Sequence, residues 1–590
     1  MSEQEAILTH HAMLVVWGQY AQATGLVPGL EAVRLSQKTV LHSPQTKVIE
    51  FLVSILGGSE HLKDISWSAH PLDQDLAVAQ AWGQPAWADH SGVSRTLHSL
   101  SESEVSQLVQ VTEHFCQPFI DKEVTLALAG GRIELDGDLS PRRVSDTSTT
   151  FPGVAYGHMD QDQVGLGYQG EVVSLSSPTY GRIGLSAVQR PGNTLSCNQA
   201  LALVEAAERR LGRRPLQRTD LLRQRITAMQ PQREHWQHKA EQARQTLQRV
   251  QAALEASQHQ LDATQQALQE LQEVYRQQTK PELPSSQLAK VRHQVQVYQR
   301  QIIHRTDKLV PTQRGLEHWL ENLRNWKQKI EKLQQRLKRF EEDNQVNPAP
   351  LCAVFRLDSG FGTQENIALL IEMGYEVYSK PYSNWLSAWI RTQIASTNTW
   401  QRVGDNAEMV AWSEVQLADF PYRLDVGVER FRIGQTYKQT GMLHFGTDPV
   451  TQDLPGWFHY YNARQTIEAT NREEKQVFEI HHLKVRAQPA LQLQEQFALF
   501  ATNFVRFASV WLAEQCPQIP DGWKEGAHPL VKQQVKVGAQ TSAYVTWNGQ
   551  DCLLRFTLYS VFAGRSLLVR RNWAFQPVLP MLKTCFFSSS

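Results

Sequence analysis

Tyr461, Arg464, Glu468 and Lys475 stand three, four and seven residues apart. On a helix turning about 100° per residue, with Glu468 at zero, Tyr461 falls near about +20°, Arg464 near about −40° and Lys475 near about −20°. All four share one stripe of a helix read from Tyr461 to Val477. An amphipathic helix normally turns aliphatic side chains inward, so these polar and ionisable groups must face a polar cleft or solvent. A solvated helix face explains the spacing alone; acids elsewhere in the chain shift the balance.

Three further acids close strand-like runs. Leu126, Leu128, Ile133 and Leu135 alternate through Val124 to Ser140 and lead into Asp136 and Asp138. Ala353 to Gly362 reads as a second strand carrying Asp358, followed by an amphipathic helix from about Gln364 to Met373 and another strand at Tyr375 to Tyr378. Carboxylates at strand ends meet at one edge of an α/β sheet, where such proteins place their sites. Asp138, Asp358 and Glu468, with Asp136 as the alternative to Asp138, can together hold two magnesium ions, manganese substituting. Magnesium takes a few carboxylates and completes its shell with water and phosphate oxygens. The chemistry of such a pair is in-line displacement at phosphorus, hydrolysis or transesterification of a phosphodiester. Lys475 and Arg464 would neutralise phosphate charge, and Tyr461 would hydrogen-bond a phosphate oxygen.

Positioning these groups requires several elements. Residues 1–120 read as a helical domain, with Val48, Phe51, Leu52 and Ile55 at helical spacing. Within it Leu76 to Gln80, Gly83-Gln84-Pro85 and Ser91 to Leu97 form two helices about a tight turn, the second presenting Arg95. Strand text at Val164 to Tyr168 and Glu171 to Leu175 continues a sheet through residues 121–200. Residues 201–347 are rich in Gln, Arg, Glu and Leu. Leu247, Leu254, Leu261, Leu268 and Tyr275 repeat every seven residues, as do Leu316, Leu323, Ile330 and Leu337 beside Trp319, Trp326, Leu333 and Phe340. Two long helices joined by the turn Lys280-Pro281-Glu282-Leu283-Pro284 should fold back as an antiparallel coiled coil, kinked at Pro311. Arg213 and Arg214 end a basic cluster before it, suited to phosphate or to a solvated helix face. Residues 348–398 and 448–515 complete the α/β text around a β-rich insertion at 399–447. Residues 516–590 carry no evident chemistry.

The whole-chain balance excludes little by charge. Lys plus Arg and Asp plus Glu both number 59 in 590 residues, so any nucleic-acid surface must be local. With 41% hydrophobic residues the chain can fill two to four domain cores. Its six cysteines (Cys116, Cys197, Cys352, Cys516, Cys552, Cys585) contain no C-x-x-C pair, which disfavours zinc modules and disulfide frameworks and fits a reducing cytoplasm. No signal peptide or membrane span is read, since Asn503 and Arg506 interrupt the most apolar stretch, Phe497 to Leu512.

Tyr461-x2-Arg464-x3-Glu468-x6-Lys475 fits without a gap a Y-x2-R-x3-E-x6-K signature, and here the chain resembles the DDE transposases of bacterial cut-and-paste insertion sequences. Leu357-Asp358-Ser359-Gly360-Phe361 is similar to that group's second-Asp motif. Its first motif has Asp followed two residues on by Thr; the nearest match is Asp138 with Ser140, Asp136 remaining open. The resemblance implies a ribonuclease-H-like catalytic fold with the first Asp on its first strand, the second after its fourth and the Glu on a later helix, behind a β-strand insertion. It implies DNA-end binding by the N-terminal helices and a nucleoid-associated enzyme acting on double-stranded element ends and target DNA. It also implies strand cleavage, a DNA hairpin intermediate and strand transfer. Hairpin formation needs an aromatic platform for an extruded base, for which Trp400, Trp412 and Trp457 stand in or beside the insertion. The coiled-coil arm between the first two acids is expected to dimerise the protein on DNA.

A nuclease or end-binding descendant that does not transpose would keep much of the same text. A coiled-coil DNA-organising scaffold fits less well, because no G-x-x-x-x-G-K-[ST] phosphate loop occurs.

Overall fold

A computed structural model of the chain describes residues 5–39, 41–160, 163–277, 283–382, 385–395, 399–434, 436–515, 524–525, 528–529, 531–560, 562 and 565–571. They form two compact units, one made by Met1–Leu216 with Asn347–Ser590 and the other by Gln217–Val346.

Helices dominate the first 130 residues because their caps and apolar spacing agree. Helix α1 (Ala12–Ala23) is buried almost throughout. Helix α2 (Pro44–Leu56) starts at Ser43, whose hydroxyl accepts the Thr46 N–H. Helices α3 (Leu76–Ala81) and α4 (His90–His98) start at Asp75 and Asp89, each capping with its carboxylate, and Gly83 takes a left-handed φ of 71° between them. Helix α5 (Glu102–Ala129) opens with a capping box of Ser101 and Glu104. It runs through Val124, Leu126 and Leu128, which the alternating pattern assigned to a strand. Helix α5 buries Ile120, Glu123 and Val124 on one side and leaves Leu126 exposed, so the period of two there was local coincidence.

A ten-stranded mixed sheet forms the centre of the first unit. Its strands are β1 (Ile133–Arg143), β2 (Ala155–Asp160), β3 (Gln163–Ser177), β4 (Gly181–Pro191), β5 (Ala353–Leu357), β6 (Glu376–Ser379), β7 (Gln401–Arg402), β8 (Ala407–Gln416), β9 (Arg423–Ile433) and β10 (Thr436–Phe445). They lie in the order β2-β3-β1-β5-β6-β10-β9-β8-β7, with β4 paired to β3. Strands β1, β5 and β6 are mutually parallel, and β1 is antiparallel to β3. Asp136 and Asp138 lie within β1 rather than at its end, but the parallel pairing with β5 stops at Gly137 opposite Leu357. The β-rich stretch does not stand apart: β10 pairs antiparallel with β6 and extends the same sheet.

Helix α6 (Ala200–Leu211) belongs to the first unit, not to the long helical pair. The long helices, α7 (Thr219–Gln277) and α8 (Gln287–Gln345), make up the second unit. They run in opposite directions: the Gln217 N–H donates to Asn344 Oδ1 at 2.9 Å, Arg223 pairs with Glu341 at 2.5 Å, and the Trp236 and Trp319 rings stack 5.5 Å apart. Leu261, Leu323, Ile330, Leu333 and Phe340 are buried, while Leu247, Leu254, Leu268, Tyr275, Leu316 and Leu337 are half-buried. Ser257 is buried as well, its hydroxyl taken by the Arg305 guanidinium. Pro311 lies inside α8. The expected turn residues Lys280, Pro281 and Glu282 lie outside the described residues.

In the first unit, α9 (Gln364–Glu372), capped by Thr363, joins β5 to β6 as a parallel crossover. After the sheet come α10 (Leu454–Asn462), α11 (Gln465–Gln476) and the long α12 (Gln488–Gln515). Helix α12 lies against β4, where Asn503 bonds the N–H and C=O of Gly184 at 2.8 Å each, and against α5, where Phe119 stacks on Phe507 at 4.1 Å. A second small sheet pairs Ile7–Thr9 with Ala543–Asn548, followed by Asp551–Phe556 and Ser566–Val569. Among the described residues no helix is long and apolar enough to cross a membrane. Cys116, Cys197, Cys352 and Cys552 carry free thiols; Cys516 and Cys585 lie outside the described residues.

Candidate active site

The register of β1 on β5 brings two of the acids together. Pairing runs from Ile133 opposite Ala353 to Gly137 opposite Leu357, so the next step along both chains sets Asp138 beside Asp358, about 5 Å apart in strand spacing. Gly137 next to Asp138 is closely packed: a Cβ there would come within 3.0 Å of the Leu357 side chain and 3.2 Å of the Phe355 ring. Asp358 Oδ1 accepts the Gly360 N–H at 2.9 Å, an Asx turn that holds the carboxylate at the strand's end.

Glu468 comes from α11. Arg464 Nη2 donates to Glu468 Oε1 at 3.2 Å, and Asn471 Nδ2, one turn further along, donates to Asp138 Oδ2 at 2.6 Å. Glu468 keeps 52% of its side chain exposed. Asp138 retains some contact with solvent yet sits deep in the surrounding atoms. Burial, together with the negative charges of Asp358 and Glu468, pushes its carboxyl up to about 7 although Arg464 opposes the shift. Asp358 is pushed up too, by burial first and by Glu468, against the pull of Arg464 and the N–H groups of Gly360 and Phe361. Burial works against the Arg464 cation, but Tyr461, Asp138 and Asp358 more than offset it. The three carboxylates therefore share one electrostatic environment with the Arg464 guanidinium.

Asp136, two residues back, has a different fate. It is fully buried and clasped by Arg356 through Nε and Nη2 at 2.7 and 2.9 Å and by Arg182 at 2.7 Å. Burial alone would raise its carboxyl; Arg182 and Arg356 hold it below the ordinary range. Behind Asp138 on the same strand, buried Arg142 pairs with Glu474 of α11 at 3.2 Å and Glu495 of α12 at 3.0 Å, tying both helices to β1.

One stripe of a single helix does not hold all four signature residues. The helical hydrogen bonding is interrupted at Ala463 and Arg464, which keep right-handed helical dihedrals, so Tyr461 lies on the last turn of α10 while Glu468 and Lys475 lie on α11, with no glycine or proline at the break. The buried Tyr461 hydroxyl donates to the Leu357 carbonyl at 3.1 Å, beside Asp358, instead of facing solvent. Lys380 at the end of β6 lies over the Tyr461 ring at 5.3 Å and pairs with buried Glu429. Arg464 is itself buried, with 7% exposure. Lys475 is half-buried on the last turn of α11.

The remaining candidates lie apart from the acids in role. Trp457 is a core residue, 2% exposed, packed among Met409, Met442 and Val354 and against the β9 backbone at Gly427; it is not free to stack on a base. Trp400 is half-buried under the Arg430 guanidinium, 4.0 Å from its ring centre, and Trp412 meets Trp389 edge-on at 5.3 Å. Arg95 is exposed on α4 and donates to Ser91 at 3.2 Å. Arg213 Nε donates to the Ala349 carbonyl at 3.0 Å, and Arg214 Nε lies 4.0 Å from Glu208, so both serve the neck where the chain leaves and re-enters the first unit.

Two sets of residues escaped the sequence reading. Asn471 falls near about −60° on the α11 stripe and was visible there by spacing. Arg182 and Arg356 carried no local signal, because only strand pairing brings them to Asp136. The donor set at Asp138, Asp358 and Glu468 is all carboxylate oxygen, and the upward shift at Asp138 marks charge that a hard divalent cation would relieve, so the residues fit magnesium or manganese. Comparison with protein-family models and with curated proteins found no match for this chain.

Proposed function

We propose that the protein is a DNA transposase of DDE type, cleaving and transferring strands at DNA ends through a hairpin intermediate, with a ribonuclease-H-like catalytic fold. The observation that carries the reading is the juxtaposition of Asp138 and Asp358 on adjacent parallel strands, with Glu468 acting electrostatically on both. The strand order β4-β3-β1-β5-β6, with β3 antiparallel and β5 and β6 parallel to β1, supports the fold expected from the resemblance. Pairing with two arginines makes Asp136 a poor metal ligand and favours Asp138 as the first acid.

Asp138, Asp358 and Glu468 would hold two divalent ions, which when bound supply activation of water or a 3′-hydroxyl and stabilisation of the departing oxygen. Asn471 orients the Asp138 carboxylate. Arg464 keeps Glu468 turned toward the two aspartates and limits their mutual repulsion. Tyr461 braces the end of β5 through the Leu357 carbonyl. Lys475 would meet DNA phosphate, with Arg95 on α4 reading the end. Trp400 and Trp412 stay as platforms for an extruded base. The pair α7 and α8 is proposed as an antiparallel coiled-coil arm that joins two copies on DNA.

The deciding experiment incubates purified protein with candidate end duplexes and magnesium and resolves products on a denaturing gel. Nicked and hairpin products that vanish in Glu468→Gln support the reading; cleavage equal to wild type in Glu468→Gln removes it.

A further inference from the structure

A second group of metal-ligating side chains lies away from the three acids. The loop after α2 supplies Glu60 and His61, and the turn after α11 supplies Glu479, His481 and His482. Glu60 Oε1 stands 3.1 Å from His482 Nε2 and 3.7 Å from His61 Nε2, and the two imidazoles meet edge-on with centroids 5.0 Å apart. A tetrahedral zinc ion with bonds of about 2.0–2.1 Å separates neighbouring donor atoms by about 3.3 Å, and the observed spacings bracket that edge.

Both loops are held in place without an ion. The Gly58 backbone comes so close to the other loop that a Cβ there would meet the Val477 carbonyl at 3.0 Å. The His61 N–H donates to Asp64 Oδ2 at 2.6 Å, and Glu479 adopts a left-handed φ of 52° that turns the following histidines back toward the first loop. Glu479 is already engaged by Lys536 at 2.6 Å, so Glu60 is the freer carboxylate.

We propose that Glu60, His61 and His482 form a binding site for one divalent transition-metal ion of zinc type. Two imidazoles and one carboxylate leave a fourth position for water. The ion would clip the N-terminal helical region to the turn that ends α11, the helix carrying Glu468. The proposal stands independently of the phosphodiester reading, because these residues are separate from Asp138, Asp358 and Glu468.

The test strips tag-free, full-length protein with a chelator and titrates zinc chloride in excess magnesium. One zinc per chain is expected, bound at least about tenfold more weakly by His61→Ala and His482→Ala and unchanged in Asp358→Asn. Absent uptake, or equal affinity in folded His61→Ala and His482→Ala, overturns the site. If those variants misfold, X-ray absorption on the zinc-loaded wild type decides: a shell with two imidazoles supports it, and one without imidazole overturns it.

Discussion

Asp136 and Asp138 are two residues apart on one face of one strand, yet their surroundings divide them. Two guanidiniums neutralise Asp136, whereas Asp138 meets Asp358, Glu468 and the Asn471 amide. Asp136→Asn should therefore act on folding, lowering stability by about 3 kcal/mol by leaving buried Arg182 with the Ser174 hydroxyl in place of a carboxylate and Arg356 with the Glu134 carboxylate alone; thermal unfolding reads this. Asn471→Ala should leave the fold intact and lower cleavage by about ten- to a hundredfold, measured by single-turnover kinetics on an end duplex. Glu50 offers a pH test remote from the site. Burial, with Asp73 and Asp89 adding, lifts its carboxyl from the ordinary 4.5 to about 9. The folded chain then holds a proton that the unfolded chain releases, so stability falls as pH rises through that window. Glu50→Gln should remove the dependence and stabilise by about 1–3 kcal/mol at pH 7, read as a midpoint gain that grows from pH 5 to 9.

At the scale of elements, the break between α10 and α11 matters most. It interrupts the helical hydrogen bonding without leaving the right-handed helical dihedrals, and Tyr461 and Arg464 are both buried rather than solvated. Arg464 was expected to neutralise phosphate charge, and its burial shifts it toward positioning Glu468. Arg464→Ala should thus reduce cleavage about tenfold or more while leaving the salt slope of DNA binding unchanged. A slope flattened by about one unit would return Arg464 to phosphate contact. Periodicity located α9 and β6 to within a residue and the start of β5 correctly, because these segments are short, apolar and punctuated, but it ran β5 on to Gly362 where the strand ends at Leu357. It failed at Val124 to Ala129, where α5 packing outweighed a chance alternation.

For the whole molecule, the neck joining the two units makes a deletion feasible. The Leu351 N–H donates to the Arg214 carbonyl at 2.9 Å, and Asn347 bonds the same carbonyl at 3.0 Å, so the chain leaves and returns at neighbouring points of the first unit. Replacing Gln217–Val346 by a short linker should preserve the first unit's cooperative unfolding and abolish pairing of two DNA ends. Full pairing by that variant in a gel-shift assay would end the dimer-arm reading. The amino-acid sequence by itself determined the elements whose signals are local: the long helices α7 and α8 from their seven-residue repeats, several strands of the sheet from alternating runs, and helices in the N-terminal region from apolar spacing. Only the tertiary structure decided which aspartate is neutralised, that Trp457 is core, that Asn471 touches Asp138, and that His61 lies beside His482. Each of these depends on partners far apart in the chain, brought together by strand register and helix packing, which no local period of residues encodes.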